Sequence, residues 1–126
     1  MNAVGRGRRL SILLPRDVPA ARTARSALDA WLTDTAAETA DAAHSIVTEL
    51  VSNAVAFGRP PIEVTVEEQP GRLRIEVADA GTGTPTRRPP DEHGGWGLEI
   101  VGRLAPRHGT LRGRSGIWCE LPSPPQ

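Results

Sequence analysis

The stretch ELVSNAVAFG, residues 49–58, contains the end of an amphipathic helix and a polar pair beside its apolar stripe. Glu49 and Asn53 are four residues apart, so on a helix they share one face and lie one turn from each other. Apolar residues recur at helical spacing over residues 40–57, and Gly58 followed by Pro60 ends this predicted helix. A carboxylate and an amide beside a core-facing stripe indicate either a solvated pair or a polar site.

The segments on either side of this helix predict a two-layer α/β sandwich in the order β-α-α-β-β-loop-α-β-β. The predicted strands cover residues 8–15, 61–68 and 71–79 and two further strands within 109–121, and the other predicted helices cover residues 18–32 and 98–105. Asp17 is the predicted N-cap of the first helix. This order predicts a mixed, mostly antiparallel sheet with three helices on one face.

The composition predicts a single globular domain over residues 1–126, with flexible ends at 1–7 and 122–126. The chain is 38% hydrophobic and 24% charged, which is typical of a folded chain, and its 126 residues suffice for one core. The 15 basic and 15 acidic residues balance to a formal net charge of zero. A neutral chain argues against direct nucleic-acid binding, because such domains usually carry a basic surface.

The residue types exclude several kinds of chemistry. Every basic residue is Arg, so Lys-dependent chemistry is excluded. Cys119 is the single cysteine, which excludes an intrachain disulfide and a cysteine metal cluster, and the three histidines are scattered without a ligand pattern. The early apolar run, residues 10–14, is too short for a signal sequence or a membrane span. We therefore expect a cytoplasmic protein that does not engage a membrane.

Two further polar motifs follow the long helix: DAGTG (79–83), directly after a predicted strand, and GGWGL (94–98), which opens a predicted helix. Taken singly, the first could be a turn and the second a hinge. Together with the Glu49–Asn53 pair they indicate a nucleotide site. Glycines let the backbone approach a ligand, and a helix N-terminus offers free N–H groups to phosphate. A strand-end Asp can accept a hydrogen bond from an exocyclic amine, and carboxylate and amide oxygens suit Mg²⁺.

The order and spacing of the three motifs also resemble a known family. ELVSNAV, DAGTG and GGWGL are similar to the N, G1 and G2 boxes of the GHKL ATPases, which share the Bergerat fold. The resemblance extends from the first strand to SGIWCEL (115–121) and is closest to the stand-alone anti-sigma-factor serine/threonine kinases. It implies ATP and Mg²⁺ as ligands.

The resemblance implies a role for each matched position. Glu49 would be the general base or orient the attacking group, and Asn53 would coordinate the Mg²⁺ that bridges the ATP phosphates. Asp79 would bind the adenine amino group. The remaining nucleotide-binding positions, which shape the base pocket and the phosphate-facing turn, would be Gly81, Gly83, Gly95, Trp96, Gly97 and Leu98. Residues 84–93 would form a lid over the nucleotide, and Glu49 and Asn53 would face a cavity between helix and sheet.

The chain departs from the family pattern at the end of the N box. Ala56 and Phe57 stand where related proteins usually carry a basic residue and often a His. Replacement cations are available at three places: Arg59, Arg87 and Arg88. In the last hairpin, Ser115 and Gly116 stand nearest to the Thr that often precedes the aromatic residue.

Two functions remain open at this point. The first is an ATP- and Mg²⁺-dependent serine/threonine kinase of a partner-switching pathway. It would phosphorylate a STAS-domain anti-anti-sigma protein and hold a sigma factor by contact. The second is a catalytically weak or inactive, nucleotide-responsive module that sequesters a regulatory protein. Related proteins often form dimers, so a homodimer is a further expectation.

Overall fold

A computed structural model describes residues 7–81 and 97–124 of the chain. Its three helices are α1 (Ala20–Trp31), α2 (Ala37–Phe57) and α3 (Gly97–Leu104). Its five strands are β1 (Arg9–Leu14), β2 (Ile62–Gln69), β3 (Arg72–Asp79), β4 (Arg107–Thr110) and β5 (Ser115–Pro122). The strands form one sheet in the order β1-β2-β3-β5-β4, and each neighbouring pair is antiparallel.

The predicted two-layer sandwich with three helices is confirmed, and the described sheet is antiparallel throughout rather than mixed. One face of the sheet is apolar because its strands alternate inward and outward residues. Val64 pairs with Val77, and Ile75 with Cys119, so their side chains form continuous rows across the sheet. These rows pack against the buried stripe of α2, which contributes residues such as Ile46 and Leu50. The sequence pattern therefore places α2 over the centre of the sheet.

The opposite face of the sheet carries charged side chains in cross-strand ion pairs. Arg74 lies 2.9 Å from Glu76 and 3.1 Å from Glu120, and its guanidinium stacks over Trp118 at 4.6 Å from the ring centroid. Glu120 is 5% exposed although it lies on this face, because neighbouring arginines cover it. Burial alone would lower the pKa of the Arg74 guanidinium. The hydrogen bonds and charges of Glu76 and Glu120 outweigh this effect, and the pKa of Arg74 is raised.

The helix starts differ from the sequence prediction. The N-cap position of α1 is Pro19, without a side-chain hydrogen bond, so the predicted capping by Asp17 is wrong. Asp17 instead contributes its backbone carbonyl, which accepts a hydrogen bond from the Ala20 N–H at 3.2 Å. Helix α2 begins at Ala37, three residues before the predicted start. Helix ends are set by local hydrogen bonds that propensity describes poorly.

Two hydrogen bonds involve the last described residues, at the predicted start of the flexible C-terminal end. The carbonyl of Pro122 accepts a hydrogen bond from the Thr39 hydroxyl at 3.1 Å, and the Ser123 N–H donates to the Gly71 carbonyl at 3.0 Å. These contacts tie the last strand to α2 and to the β2–β3 turn. Within residues 7–81 and 97–124, no helix is long and apolar enough to traverse a bilayer.

The thiol of Cys119 should resist modification in the folded protein. Cys119 lies fully buried in the core on β5, and burial raises its pKa from 9.0 to about 12. Because the thiolate is the nucleophile, a disulfide reagent at mildly alkaline pH should react with guanidinium-unfolded protein and not with folded protein. Since the folded pKa exceeds the unfolded one, this thiol's contribution to stability is complete below pH 9 and is lost as the pH rises towards 12. Rapid labelling of folded protein would contradict the buried position.

Candidate functional site

Asp79 ends β3 with its carboxylate surrounded by hydrogen-bond donors. Oδ1 accepts from the Gly81 N–H at 2.7 Å and, more weakly, from the Arg59 N–H at 3.4 Å. Oδ2 accepts from the Ser115 hydroxyl at 3.1 Å. An ionised carboxylate offers about four lone-pair positions. The three donors orient the group and leave acceptor capacity for a ligand.

Two glycines make this arrangement possible. A Cβ on Gly58 would lie 2.8 Å from Asp79 Oδ2 and 2.7 Å from the Ala54 carbonyl oxygen, and a Cβ on Gly81 would lie 2.7 Å from Asp79 Oδ1. Such distances are too short for a real side chain. The sequence predicts that Gly81 is a glycine so that a ligand can approach the backbone. In the structure, the contact at Gly81 is between its own backbone and the Asp79 carboxylate.

Replacing Gly58 by alanine should destabilise the protein and displace Asp79. The added methyl overlaps both the carboxylate and a helix carbonyl, so we expect a loss of about 1–3 kcal/mol in unfolding free energy, as for other overpacked sites. Urea denaturation measures this loss. Gly102→Ala in α3 is the matched control, because its nearest neighbour would be His108 Cε1 at 3.9 Å. That control should be neutral or stabilising, since alanine favours a helix interior. Equal stability of the two variants would contradict the packing at Gly58.

Arg16, which no sequence motif indicates, binds the C-terminal end of α2 through its side chain. Arg16 donates from Nε to the Val55 carbonyl at 2.6 Å and from Nη2 to the Ala56 carbonyl at 3.1 Å. A cation at this end satisfies free carbonyls and complements the helix dipole. The contact joins positions 39 and 40 residues apart, so no local pattern could reveal it. Ser115 was likewise noted only as the hydroxyl nearest to an expected Thr.

Glu49 and Asn53 lie on one side of α2, and both are half-buried. Within residues 7–81 and 97–124, neither side chain makes a hydrogen bond or an ion pair with another residue. Half-buried polar groups without protein partners are available to a ligand or to water. At a helical rise of about 1.5 Å per residue, Asn53 lies roughly 7 Å and Glu49 roughly 13 Å along the axis from Gly58, which contacts Asp79.

Glu49 also lines a groove of about 540 Å³ across the outer surface of the helices. Its described walls come from all three helices and consist of Arg25, His44, Ser45, Thr48, Glu49, Ile100, Arg103 and Leu104. The family resemblance implies that Glu49 faces a cavity between helix and sheet. None of these lining residues belongs to the sheet, because α3 packs beside α2 and forms the second wall.

The remaining site predictions concern the glycine-rich segments. Gly97 begins α3, as the motif predicts, and Leu98 follows it in the first turn. Gly83, Gly95, Trp96 and the predicted lid over residues 84–93 lie outside the described residues. The structure therefore brings Asp79 and Gly81 together, and it places Asn53 and then Glu49 along α2 at increasing distance from them.

Comparisons with known proteins identify the family and support the fold. Residues 14–116 match the model of the histidine kinase-like ATPase domain, and the chain belongs to this family. No curated protein sequence matches it significantly. Its structure is similar to that of the RsbU and RsbW domains of Rv1364c from Mycobacterium tuberculosis, with a TM-score of 0.70 and 25% sequence identity. That match covers 94% of this chain and 33% of the other, so this chain spans about a third of the length of that protein.

Proposed function

We propose that this domain binds ATP with Mg²⁺ and phosphorylates a serine or threonine of a partner protein in a partner-switching pathway. The observation that carries the proposal is the position of three polar groups relative to α2. Asp79 is held at the C-terminal end of this helix, and Glu49 and Asn53 lie further along it without a side-chain partner among the described residues. Glu49 lies roughly 13 Å along the helix axis from Gly58, the residue that contacts Asp79. This distance is comparable to the length of an extended nucleoside triphosphate.

In this proposal Asp79 recognises the base. Its donors are the Gly81 N–H, the Arg59 N–H and the Ser115 hydroxyl, and they keep the carboxylate oriented before a ligand arrives. The acceptor capacity that remains suits an exocyclic amino group, which donates hydrogen bonds and accepts none. A preoriented acceptor loses little conformational entropy on binding, which favours affinity.

The residues present also fit a magnesium ion that arrives with the phosphates. Among the described residues, no group of three or more His, Cys, Asp or Glu side chains could hold a metal by itself. Mg²⁺ commonly keeps several waters and takes one or two protein oxygens together with substrate phosphates. The amide of Asn53, which has no partner in the described part of the chain, would supply such an oxygen, and Glu49 lies one turn away.

When bound, ATP would supply the phosphoryl group for transfer. Glu49 would accept the proton of the attacking hydroxyl or orient that hydroxyl towards the phosphate. This role suits its position, because Glu49 lines an open groove through which a partner can approach, and it makes no ion pair with another described residue. Phosphoryl transfer requires mainly positioning and charge neutralisation, which a carboxylate and an amide one turn apart could assist.

The proposed partners come from the kind of protein that the chain resembles. The structural match contains RsbU and RsbW domains within one protein, and the sequence resembles anti-sigma-factor kinases. We therefore propose a STAS-domain anti-anti-sigma protein as the acceptor and a sigma factor as a second partner. A second copy of the chain would complete a homodimer.

A specific observation favours a second candidate, a nucleotide-responsive binding module without kinase activity. Ala56 and Phe57 carry no charge at the end of α2, and Phe57 is 53% exposed. The Arg16 guanidinium near them donates to the Val55 and Ala56 carbonyls, so two of its five N–H donors are already engaged. A module of this kind would bind ATP and a regulatory protein and transfer nothing.

Titration of the purified protein with ATP, with and without Mg²⁺, tests the proposal. In calorimetry, Mg²⁺ should tighten ATP binding to the wild type. Asn53→Ala should bind ATP with an affinity that Mg²⁺ no longer improves, because the proposed oxygen ligand is gone. Ser52→Ala, at the exposed neighbouring position of α2, is the control and should behave as the wild type. The same Mg²⁺ dependence in all three proteins would refute the metal role, and no ATP binding at all would refute the proposed function.

A further inference from the structure

Two arginines line the groove beside Glu49. Arg25 lies on α1 and Arg103 on α3, so they come from opposite walls. Within residues 7–81 and 97–124 neither makes an ion pair. By contrast, the arginines on the open face of the sheet pair with glutamates, as in Arg74 with Glu120 and Arg114 with Glu63. Two cations that face one groove and have no acidic partner among the described residues form a local positive surface in a chain of zero net charge.

The other charged groups of the groove do not cancel this surface. Glu49 contributes one carboxylate, and His44 contributes an imidazole whose Nε2 lies 3.2 Å from Asp29 Oδ1. Two guanidinium groups therefore stand against one carboxylate among the lining residues. Leu104 is 37% exposed and adds an apolar edge beside Arg103.

We propose that this groove docks an acidic segment of the partner protein, with a serine or threonine hydroxyl placed at Glu49. The inference rests on the proposed function, since it assigns a role to Glu49 as the group that receives the acceptor hydroxyl. Carboxylates of the segment would contact Arg25 and Arg103, and an apolar residue would contact Leu104. The groove's volume of about 540 Å³ and its two-sided charge fit a peptide chain that crosses α2.

The geometry also explains why the hydroxyl that receives the phosphoryl group would lie between the contacts to Arg25 and Arg103. Arg25 and Arg103 mark the two sides of the groove, and Glu49 lies between them on α2. A segment with acidic residues on both sides of its hydroxyl residue would thus meet a cation at each end and a carboxylate in the middle. A basic segment would meet two like charges, which disfavours it through repulsion.

Fluorescence anisotropy with three labelled peptides tests the docking. The probes are the acidic peptide EDGSLDEG, its uncharged counterpart QNGSLNQG and its basic counterpart KRGSLRKG. Each is titrated with protein that is saturated with ATP and Mg²⁺. The salt concentration is low, because charge contacts are then least screened. We expect the wild type to bind the acidic peptide about tenfold more tightly than the uncharged one. Arg25→Gln with Arg103→Gln should remove this preference. Arg22→Gln, an exposed arginine of α1 outside the groove, should keep it.

A charge-reversed variant gives an outcome that a loss of folding cannot imitate. Arg25→Glu with Arg103→Glu should prefer the basic peptide over the acidic one, with circular dichroism unchanged. Equal binding of the acidic and uncharged peptides by the wild type would overturn the docking proposal. So would a loss of the acidic preference in Arg22→Gln as large as in Arg25→Gln with Arg103→Gln. If ATP binds normally in calorimetry while the acidic preference is absent, the docking proposal fails and the proposed function stands. If ATP does not bind, the proposed function fails first.

Discussion

Replacing Glu49 by glutamine should lower the rate of phosphoryl transfer by about 10²–10⁴-fold and leave ATP affinity nearly unchanged. A base or an orienting carboxylate acts mainly in the transition state, so its loss changes the rate far more than ground-state binding. Glutamine keeps the size and the half-buried position of the side chain and removes only its charge and basicity. Glu49 has no partner among the described residues, so the fold does not depend on it.

The measurement is transfer of labelled phosphate from ATP to the STAS proteins of the same genome. Asp41→Asn is the matched control, because it neutralises an exposed carboxylate on the same helix outside the groove. We expect the control to transfer phosphate at the wild-type rate. If the wild type transfers phosphate and Glu49→Gln does so equally fast, Glu49 is not the catalytic residue. If the wild type transfers none, the binding-module function replaces the kinase.

Replacing Asp79 by asparagine should weaken ATP binding by about 1–3 kcal/mol, which corresponds to roughly 5- to 150-fold. The variant keeps one oxygen to accept from the Gly81 N–H, and its new amino group can donate to the Ser115 oxygen. The local hydrogen bonds can therefore survive the substitution. The acceptor offered to the base is what changes, since an amide NH₂ opposite an exocyclic amine sets a donor against a donor.

Calorimetry of ATP binding, with circular dichroism to verify the fold, measures this effect. Ser115→Ala gives a graded comparison, because it removes one orienting donor and keeps the carboxylate. Its loss of affinity should be smaller than that of Asp79→Asn. Wild-type affinity in a folded Asp79→Asn protein would show that the base binds elsewhere.

Local periodicity predicted most of the secondary structure. The apolar repeat before Gly58 predicted α2, whose end at Phe57 is as expected. Strict alternation predicted β2 and β3, and the Gly71 turn between them joins an antiparallel pair. These features depend on neighbours a few residues apart, which is why sequence reasoning can find them. The start of α1 was misjudged because Asp17 suits an N-cap, whereas the chain enters the helix at Pro19.

The residues proposed for the site come from the sequence, because motif order and glycine spacing are local properties. Asp79 at the end of a strand and Glu49 four residues before Asn53 follow from position alone. The residues that surround them in the fold do not follow from position in the sequence. The Ser115 hydroxyl that holds Asp79 comes from a position 36 residues away, and the pairing of β3 with β5 that brings it there skips β4.

The sequence by itself determined the helices, the hairpins, the family and the polar residues available for chemistry, since each depends on short-range pattern. Only the tertiary structure decided what those residues face. It brought Arg16 to the end of α2, and it set Arg25 of α1 and Arg103 of α3 on opposite walls of the groove at Glu49. Helix packing is driven by apolar stripes that fix which faces are buried, and the polar side chains are carried into contact as a consequence. The charges that meet across a groove are therefore a result of packing that no linear spacing encodes.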